Sequence, residues 1–292
     1  MDSGATSPII TRFAPSPTGY LHLGHALAAH YAFNMAKQRG GTCLLRIEDI
    51  DFTRCKPSFT QAILEDLKWL GFNWPNPVRI QSNHMNQYVE VIEGLIEKGL
   101  AYPCVLSRSE IKTYMSQHGL DVYRRGDDVS ILNNLMSKPA AWRLSMSAAQ
   151  DYLGKSFGQL GYMAMDEGGN SSFKSVDPRA FGDVIIGRKD IGASYHIAVT
   201  HDDHLQSVSH VIRGKDLEDQ TAIHVLLQRL MGWDTPVYFH HDLLYSGYGK
   251  KLAKRAGDIS LRSFREKEYD VRKIWFKIEN AMNNSDSLTL CD

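Results

Sequence analysis

Cysteine is scarce in this chain: four in 292 residues, at positions 43, 55, 104 and 291, with no Cys-x-x-Cys spacing. That scatter supplies neither a disulfide framework nor a metal-binding one, and it fits a reducing, cytoplasmic setting. Long hydrophobic runs are missing too. None reaches the roughly twenty residues that a membrane-spanning helix needs. The first residues lack a basic start followed by an apolar run, so no secretory signal is expected. Net charge is also absent, with 33 basic and 33 acidic residues. A balanced total neither supports nor excludes a nucleic-acid partner, because such binding needs a local basic patch. There is no internal repeat and no low-complexity stretch. What remains is an ordinary folded composition, 43% hydrophobic and 23% charged.

The N-terminal pattern is α/β. Residues 8–14 read as a strand, 23–38 as an amphipathic helix stopped by Gly40-Gly41, and 42–47 as a second buried strand. This β-α-β unit implies a parallel sheet, whose strand ends are the usual ligand edge. Helices are expected over 59–70 and 87–97, each stopped by a glycine. Residues from about 102 to 180 are less regular and read as an inserted, smaller domain. The α/β pattern resumes over 183–186, over 195–200 and in a helix over 221–231. A glycine-rich stretch, Ser246-Gly-Tyr-Gly249, leads into Lys250-Lys-Leu-Ala-Lys-Arg255. One or two helices and a polar tail follow.

Between the first strand and the first helix lies Pro15-Ser-Pro-Thr-Gly-Tyr-Leu-His-Leu-Gly-His25. His22 and His25 stand three apart, on one face of the first helical turn. A helix start offers unpaired N–H groups and a positive dipole end, which suit a phosphate, and Gly24 leaves room for a flat ring to approach the backbone. The layout suggests a bound nucleotide.

This stretch, together with Arg46-Ile-Glu-Asp-Ile-Asp51, Tyr195-His-Ile-Ala, Val211-Ile-Arg-Gly214 and Lys251-Leu-Ala-Lys-Arg255, resembles the class I aminoacyl-tRNA synthetases of the glutamyl branch. The first segment resembles their HIGH signature and the last their KMSKS signature. The resemblance implies a Rossmann-like parallel-sheet catalytic domain of the HUP type, with an inserted α+β domain. It divides the chain at 8–101 and 181–258 for the two catalytic halves, 102–180 for an acceptor-binding-like insert and 259–292 for a helical tail. No anticodon-binding domain is expected after the lysine loop. That shortness, with Ile50 and Asp51, resembles the glutamyl-Q tRNA(Asp) synthetases. It implies tRNA-independent activation of L-glutamate with ATP and transfer to the queuosine base of tRNA(Asp), by a monomer. The alternatives are a truncated enzyme charging tRNA(Glu) at its 3′ end, and a non-catalytic relative that only binds.

Residue roles follow from the resemblance and from the substrate's charges. Arg12 and Arg213 are the cations suited to glutamate's carboxylates, Glu48 the anion suited to its ammonium, and Tyr195 a hydroxyl. Phe13, Ala14, Pro15 and Ser16 line the same pocket. His22, Gly24, His25 and Lys254 bind ATP. His22, His25, Lys251 and Lys254 stabilise charge as pyrophosphate leaves, and Mg²⁺ accompanies ATP, held by phosphate oxygens and water. The pair Asp202-Asp203 is expected to support the site through hydrogen bonds rather than to hold a metal. His240-His241-Asp242 is expected as a strand end, and Arg124 and Arg125 are positional candidates for tRNA contact. Three departures stand out. Leu106 occupies the place of a cysteine in the family's zinc site, of which Cys104 and Tyr123 remain, with Asp127 near the last ligand, so no structural zinc is expected. Val199 replaces a substrate-facing Asn, and Ala253 replaces the usual Ser of the lysine loop.

Overall fold

The computed structural model describes residues 8–125, 140–244 and 260–283. Strand β1 (Ile10–Phe13), helix α1 (Leu23–Gln38) and strand β2 (Thr42–Ile47) form the expected unit, with β1 and β2 parallel and Arg12 opposite Leu44. The small side chains of Ala26, Ala29, Ala32 and Ala36 all lie on the buried face of α1, with Leu27 and Phe33. That alanine stripe lets the helix sit close on the sheet. Helix α2 (Pro57–Trp69) starts on a proline, whose missing N–H costs nothing there. Strand β3 (Arg79–Ile80) then adds in parallel beside β2, and helix α3 (Met85–Glu97) follows.

A second parallel unit comes from β9 (His210–Gly214), α7 (Thr221–Met231) and β10 (Val237–His241), in the register Arg213 opposite His240. Hydrogen bonds join the two units. Ser209 N donates to Ile10 O at 2.9 Å, and Ile10 N donates to Ser209 Oγ at 2.9 Å. The chain therefore departs from β1 toward β2 on one side and from β9 toward β10 on the other. In such sheets the crevice forms where the two directions part, at the carboxyl ends of the central strands. Those ends carry Arg12 on β1 and Arg213 on β9.

Residues between the halves feed two sheets. Strands β4 (Ala101–Cys104), β5 (Ala141–Leu144) and β8 (Ile185–Gly187) make an antiparallel sheet, with helices α4 (Arg108–His118) and α5 (Met146–Leu153) nearby in the chain. Strands β6 (Gly161–Met165) and β7 (Ser171–Ser175) form a hairpin instead, and β6 pairs with β10. The segment beginning at Tyr195, whose type the sequence leaves open, is helix α6 (Tyr195–Leu205). Leu144, Phe157, Leu160 and Tyr162 share one core with Ile197, Ile223 and Leu226, so the intervening segment is packed onto the second half. Helices α8 (Leu261–Glu266) and α9 (Val271–Asn283) close the other core, burying Leu261, Ile274 and Ile278 beside Leu27 and Leu67.

Candidate active site

The crevice is organised by buried ion pairs that link its two halves. Arg12 Nε meets Asp203 Oδ1 at 3.1 Å, and Arg46 Nη2 meets the same oxygen at 2.7 Å. Arg12 Nη1 also donates to Ile212 O at 3.2 Å, pinning β1 to β9. Arg46, fully buried on β2, lies 3.6 Å from Glu48 Oε1 and donates to Gln206 Oε1 at 3.1 Å. The neighbouring Asp202 is fully buried and takes Arg79 at 2.7 Å, Tyr88 at 2.8 Å, Gln81 at 3.0 Å and His201 at 3.0 Å. Burial pushes the Asp202 carboxyl up, but His201 and Arg79 outweigh it and hold the group below the usual carboxylate range. The aspartate pair thus orients arginines. Among the described residues no group of three or more His, Cys, Asp or Glu side chains is placed to hold a metal ion.

Glu48 stands just past the end of β2, its backbone N–H donating to Pro15 O at 3.1 Å. Burial pushes its carboxyl up to about 7, against the opposing pull of Arg46 and Arg12. The carboxylate is the form able to pair with an ammonium. In the free enzyme it is lost as pH falls through about 7. We therefore expect kcat/KM for an ammonium-bearing substrate to fall about tenfold between pH 8 and pH 6, with kcat nearly flat. Glu48→Gln should abolish that slope. A slope unchanged in Glu48→Gln would assign the titration to another group.

Tyr195 opens α6, behind the N-cap Ser194. Burial raises its hydroxyl pKa, and Glu48, Arg213 and Arg12 all act on it, in that order. Glu48, Arg213 and Arg12 thus all lie within electrostatic reach of Tyr195, although the four residues come from different segments. Val199 follows Tyr195 by four residues, on the same face of α6, and is buried. Val199→Asn should lower KM for an amino-acid substrate, read by steady-state kinetics. An unchanged KM would remove Val199 from the pocket.

Arg213 is 5% exposed and differs from the other arginines of the crevice. Its Nη2 donates to Thr221 Oγ1 at 2.6 Å, its Nη1 bonds His224 Nδ1 at 3.0 Å and its Nε donates to His240 Nε2 at 3.3 Å. Its guanidinium carbon lies 5.2 Å from the Tyr238 ring centre. Burial and Arg213 together hold His224 well below its ordinary value, His196 at about 4 and His240 at about 3. All three rings are neutral near pH 7. Among the described residues, Arg213 has no ion-pair partner. A buried guanidinium without a countercharge is costly unless something anionic joins it.

The helix start also has a defined geometry. His22 is the N-cap of α1, and its Nδ1 accepts from Gly24 N at 3.1 Å. His25 Nδ1 accepts from His22 N at 3.2 Å. One of the helix-start donors expected for a phosphate, Gly24 N, is therefore taken by the chain itself. Because both Nδ1 atoms accept, the neutral rings carry their protons on Nε2, the donor a phosphate oxygen would need. The ring that comes close to Gly24 is also the protein's own: a Cβ at position 24 would lie 3.0 Å from His22 Cε1. Past β10 the chain is described to Leu244 and again from Ser260, which forms a β-bridge with His22. Lys251, Ala253 and Lys254 lie outside the described residues. Of the proline-turn residues, Phe13 is packed in the core, so only its backbone is placed to line the crevice. Pro15 is buried, while Ala14 and Ser16 are half-buried.

Among the described residues, those left of the family's zinc site do not make a zinc set. Cys104 Sγ is 3.9 Å from the Tyr123 hydroxyl, and Leu106, Ile111, Tyr114 and Met115 pack around them. One thiol and one phenol in an apolar cluster fall short of four ligands. Asp127 lies outside the described residues. Elemental analysis of purified protein should give clearly substoichiometric zinc; one equivalent per chain would contradict this. Arg124 and Arg125 are exposed, the latter over the Tyr102 ring at 5.0 Å.

Sequence reasoning missed the surroundings of Arg213. Thr221, His224 and Gln228 are all buried along α7, at spacings of three and four. A polar stripe on the buried face of an otherwise apolar helix was the available signal.

The family model described as tRNA synthetases class I (E and Q), catalytic domain, matches residues 8–278. A glutamyl-Q tRNA(Asp) synthetase of Rhodobacter capsulatus is 42% identical over 267 residues, covering 88% of this chain and 95% of that protein. Glutamate–tRNA ligase 2 of Paracoccus denitrificans is 35% identical over 265 residues, covering 88% of this chain, and the chain spans 53% of that ligase's length. Among solved structures, a glutamate tRNA ligase from Elizabethkingia meningosepticum in complex with its amino acid superposes with a TM-score of 0.66 at 27% identity, over 89% of this chain and 53% of that one.

Proposed function

The chain belongs to the class I tRNA synthetases of the glutamyl and glutaminyl branch, a family of ligases, and from that premise we propose that it activates L-glutamate with ATP, without tRNA, and passes the glutamate to the queuosine base of tRNA(Asp). The observation that carries the amino acid is Arg213, a buried guanidinium whose described partners are all neutral, which acts with Glu48 on the Tyr195 hydroxyl. Such a pocket demands an anion and tolerates an ammonium beside it. L-Glutamate answers both, with Arg12 as a second cation and the Tyr195 hydroxyl as a further hydrogen-bonding group. The 42% likeness to a glutamyl-Q tRNA(Asp) synthetase supports the acceptor.

In the proposed reaction the α-carboxylate oxygen of glutamate bonds to the α-phosphorus of ATP. The bond from that phosphorus to the bridging oxygen breaks, and pyrophosphate leaves. No covalent bond to the protein forms, so the protein contributes positioning and charge stabilisation. Nε2–H groups of His22 and His25 face the phosphates, and Lys251 and Lys254 neutralise the departing pyrophosphate. Mg²⁺ travels with ATP. Acyl transfer to the base then releases AMP.

A second reading, charging of tRNA(Glu) at its 3′ end, draws on the 35% likeness to a glutamate–tRNA ligase. Charging assays separate the two. Glutamate should enter tRNA(Asp) that contains queuosine, and should enter neither queuosine-free tRNA(Asp) nor tRNA(Glu). Incorporation into tRNA(Glu) alone would establish the second reading. Absence of glutamate-dependent ATP–pyrophosphate exchange would leave a binding protein.

A further inference from the structure

Three of the crevice's arginines, Arg12, Arg46 and Arg79, meet an aspartate. Arg213 meets two imidazoles and a hydroxyl in the same situation. The difference is chemical and not a matter of space. An imidazole nitrogen accepts a hydrogen bond as a carboxylate oxygen does, but brings no negative charge.

The bonding pattern fixes the ring protons. A guanidinium only donates, so His224 Nδ1 must be the lone-pair nitrogen and its proton must lie on Nε2. That Nε2 is 3.1 Å from His196 Nδ1, which must then accept. A directed chain results, Arg213 to His224 to His196, and it ends on the residue beside Tyr195. On the other side Thr221 Oγ1 accepts a hydrogen bond from Arg213 Nη2 and lies 3.1 Å from His240 Nε2. Arg213 Nε is 3.3 Å from the same nitrogen. His240 therefore accepts at Nε2 and holds its own proton on Nδ1.

We propose that His224 and His240 are positioning and specificity-determining residues for Arg213: they hold the guanidinium by neutral acceptors in place of a carboxylate, so that its charge is left for the substrate's carboxylate and a carboxamide substrate is rejected. A histidine-to-carboxylate change at either place would satisfy Arg213 from within and remove the demand for an anion. A carboxamide offers an oxygen but no charge, so binding it leaves the buried guanidinium uncompensated. This inference rests on the proposed glutamate-activating function.

Glutamate-dependent ATP–pyrophosphate exchange tests it, with glutamine as competitor and KM for ATP as the control. In His224→Leu, KM for glutamate should rise about ten- to hundredfold, as for loss of one hydrogen bond to a charged group, while kcat and KM for ATP change little. His224→Asn, whose Oδ1 can stand where Nδ1 stood, should restore most of the loss. His240→Gln, with Oε1 in the place of Nε2, should likewise outperform His240→Leu. His240→Glu should cut the preference for glutamate over glutamine at least tenfold. An unchanged KM in both leucine variants, or an unchanged preference in His240→Glu, would overturn the inference while leaving the function intact. A wild-type protein without glutamate-dependent exchange would overturn the function and this inference with it.

Discussion

Replacing Arg213 with leucine should lower kcat/KM for glutamate about a thousandfold and leave the protein as stable as before, or more so. The two halves of this expectation have one cause. In the free protein the guanidinium is nearly buried and its described partners are neutral, so its desolvation is only partly repaid by hydrogen bonds. Replacing a buried ionic group by an apolar side chain removes that desolvation cost, which offsets the loss of the hydrogen bonds to Thr221, His224 and His240. In the substrate complex the same charge faces a carboxylate in a low-dielectric space. Losing one partner of a buried pair costs about 3–5 kcal/mol, which is roughly two to four powers of ten in affinity. Thermal melting and pyrophosphate exchange on the same preparation check both halves. A variant that is unstable and inactive would make Arg213 structural. One that is stable and active would take it out of the pocket.

How much of this was legible in the sequence differs from residue to residue, and the reason is range. Helix α1 and strand β2 fall where the apolar spacing and Gly40-Gly41 set them, because those signals are local. That His22 and His25 share a helix start was also local. That their Nδ1 atoms cap the helix was not, since it depends on the side-chain rotamers. Arg12, Glu48, Tyr195 and Arg213 were picked out by matching residue types to a substrate with two carboxylates and one ammonium. That Arg12 and Arg213 stand on neighbouring strands needed the sheet topology, which places β1 beside β9. The sequence offered no way to see that Asp203 serves both Arg12 and Arg46, because these partners lie 191 and 157 positions away. His240 read as a strand end, and it is one, in β10, yet its ring holds Arg213. Strand position and side-chain role are separate facts, and periodicity reports only the first.

Asp203→Asn is the change expected to damage the fold most. The aspartate is nearly buried and its Oδ1 serves two guanidiniums, at 3.1 and 2.7 Å, one on β1 and one on β2. Asparagine keeps the shape and one acceptor oxygen but removes the charge. Two buried cations then share Glu48, which is 3.6 Å from Arg46. An uncompensated buried charge of this kind costs about 3–5 kcal/mol. For a chain of 292 residues that lowers Tm by roughly 5–8 °C. The exposed pair Asp177–Arg179, with both side chains about half-exposed, provides the contrast, and Asp177→Asn should shift Tm very little. A second readout separates electrostatics from general loosening. Asp203 is one of the groups that raise the Glu48 carboxyl, whereas Arg46 and Arg12 lower it. Without the aspartate charge the balance moves toward the arginines, so the folded-state pKa of Glu48 falls below about 7. Its carboxylate then persists to lower pH, and the acid limb of kcat/KM should move to lower pH in the variant, measured below its own melting temperature. A melting temperature equal to that of the wild type would mean that the two arginines find other partners. A limb that stays near pH 7 in a destabilised variant would mean that Asp203 braces the strands without setting the charge state of the pocket.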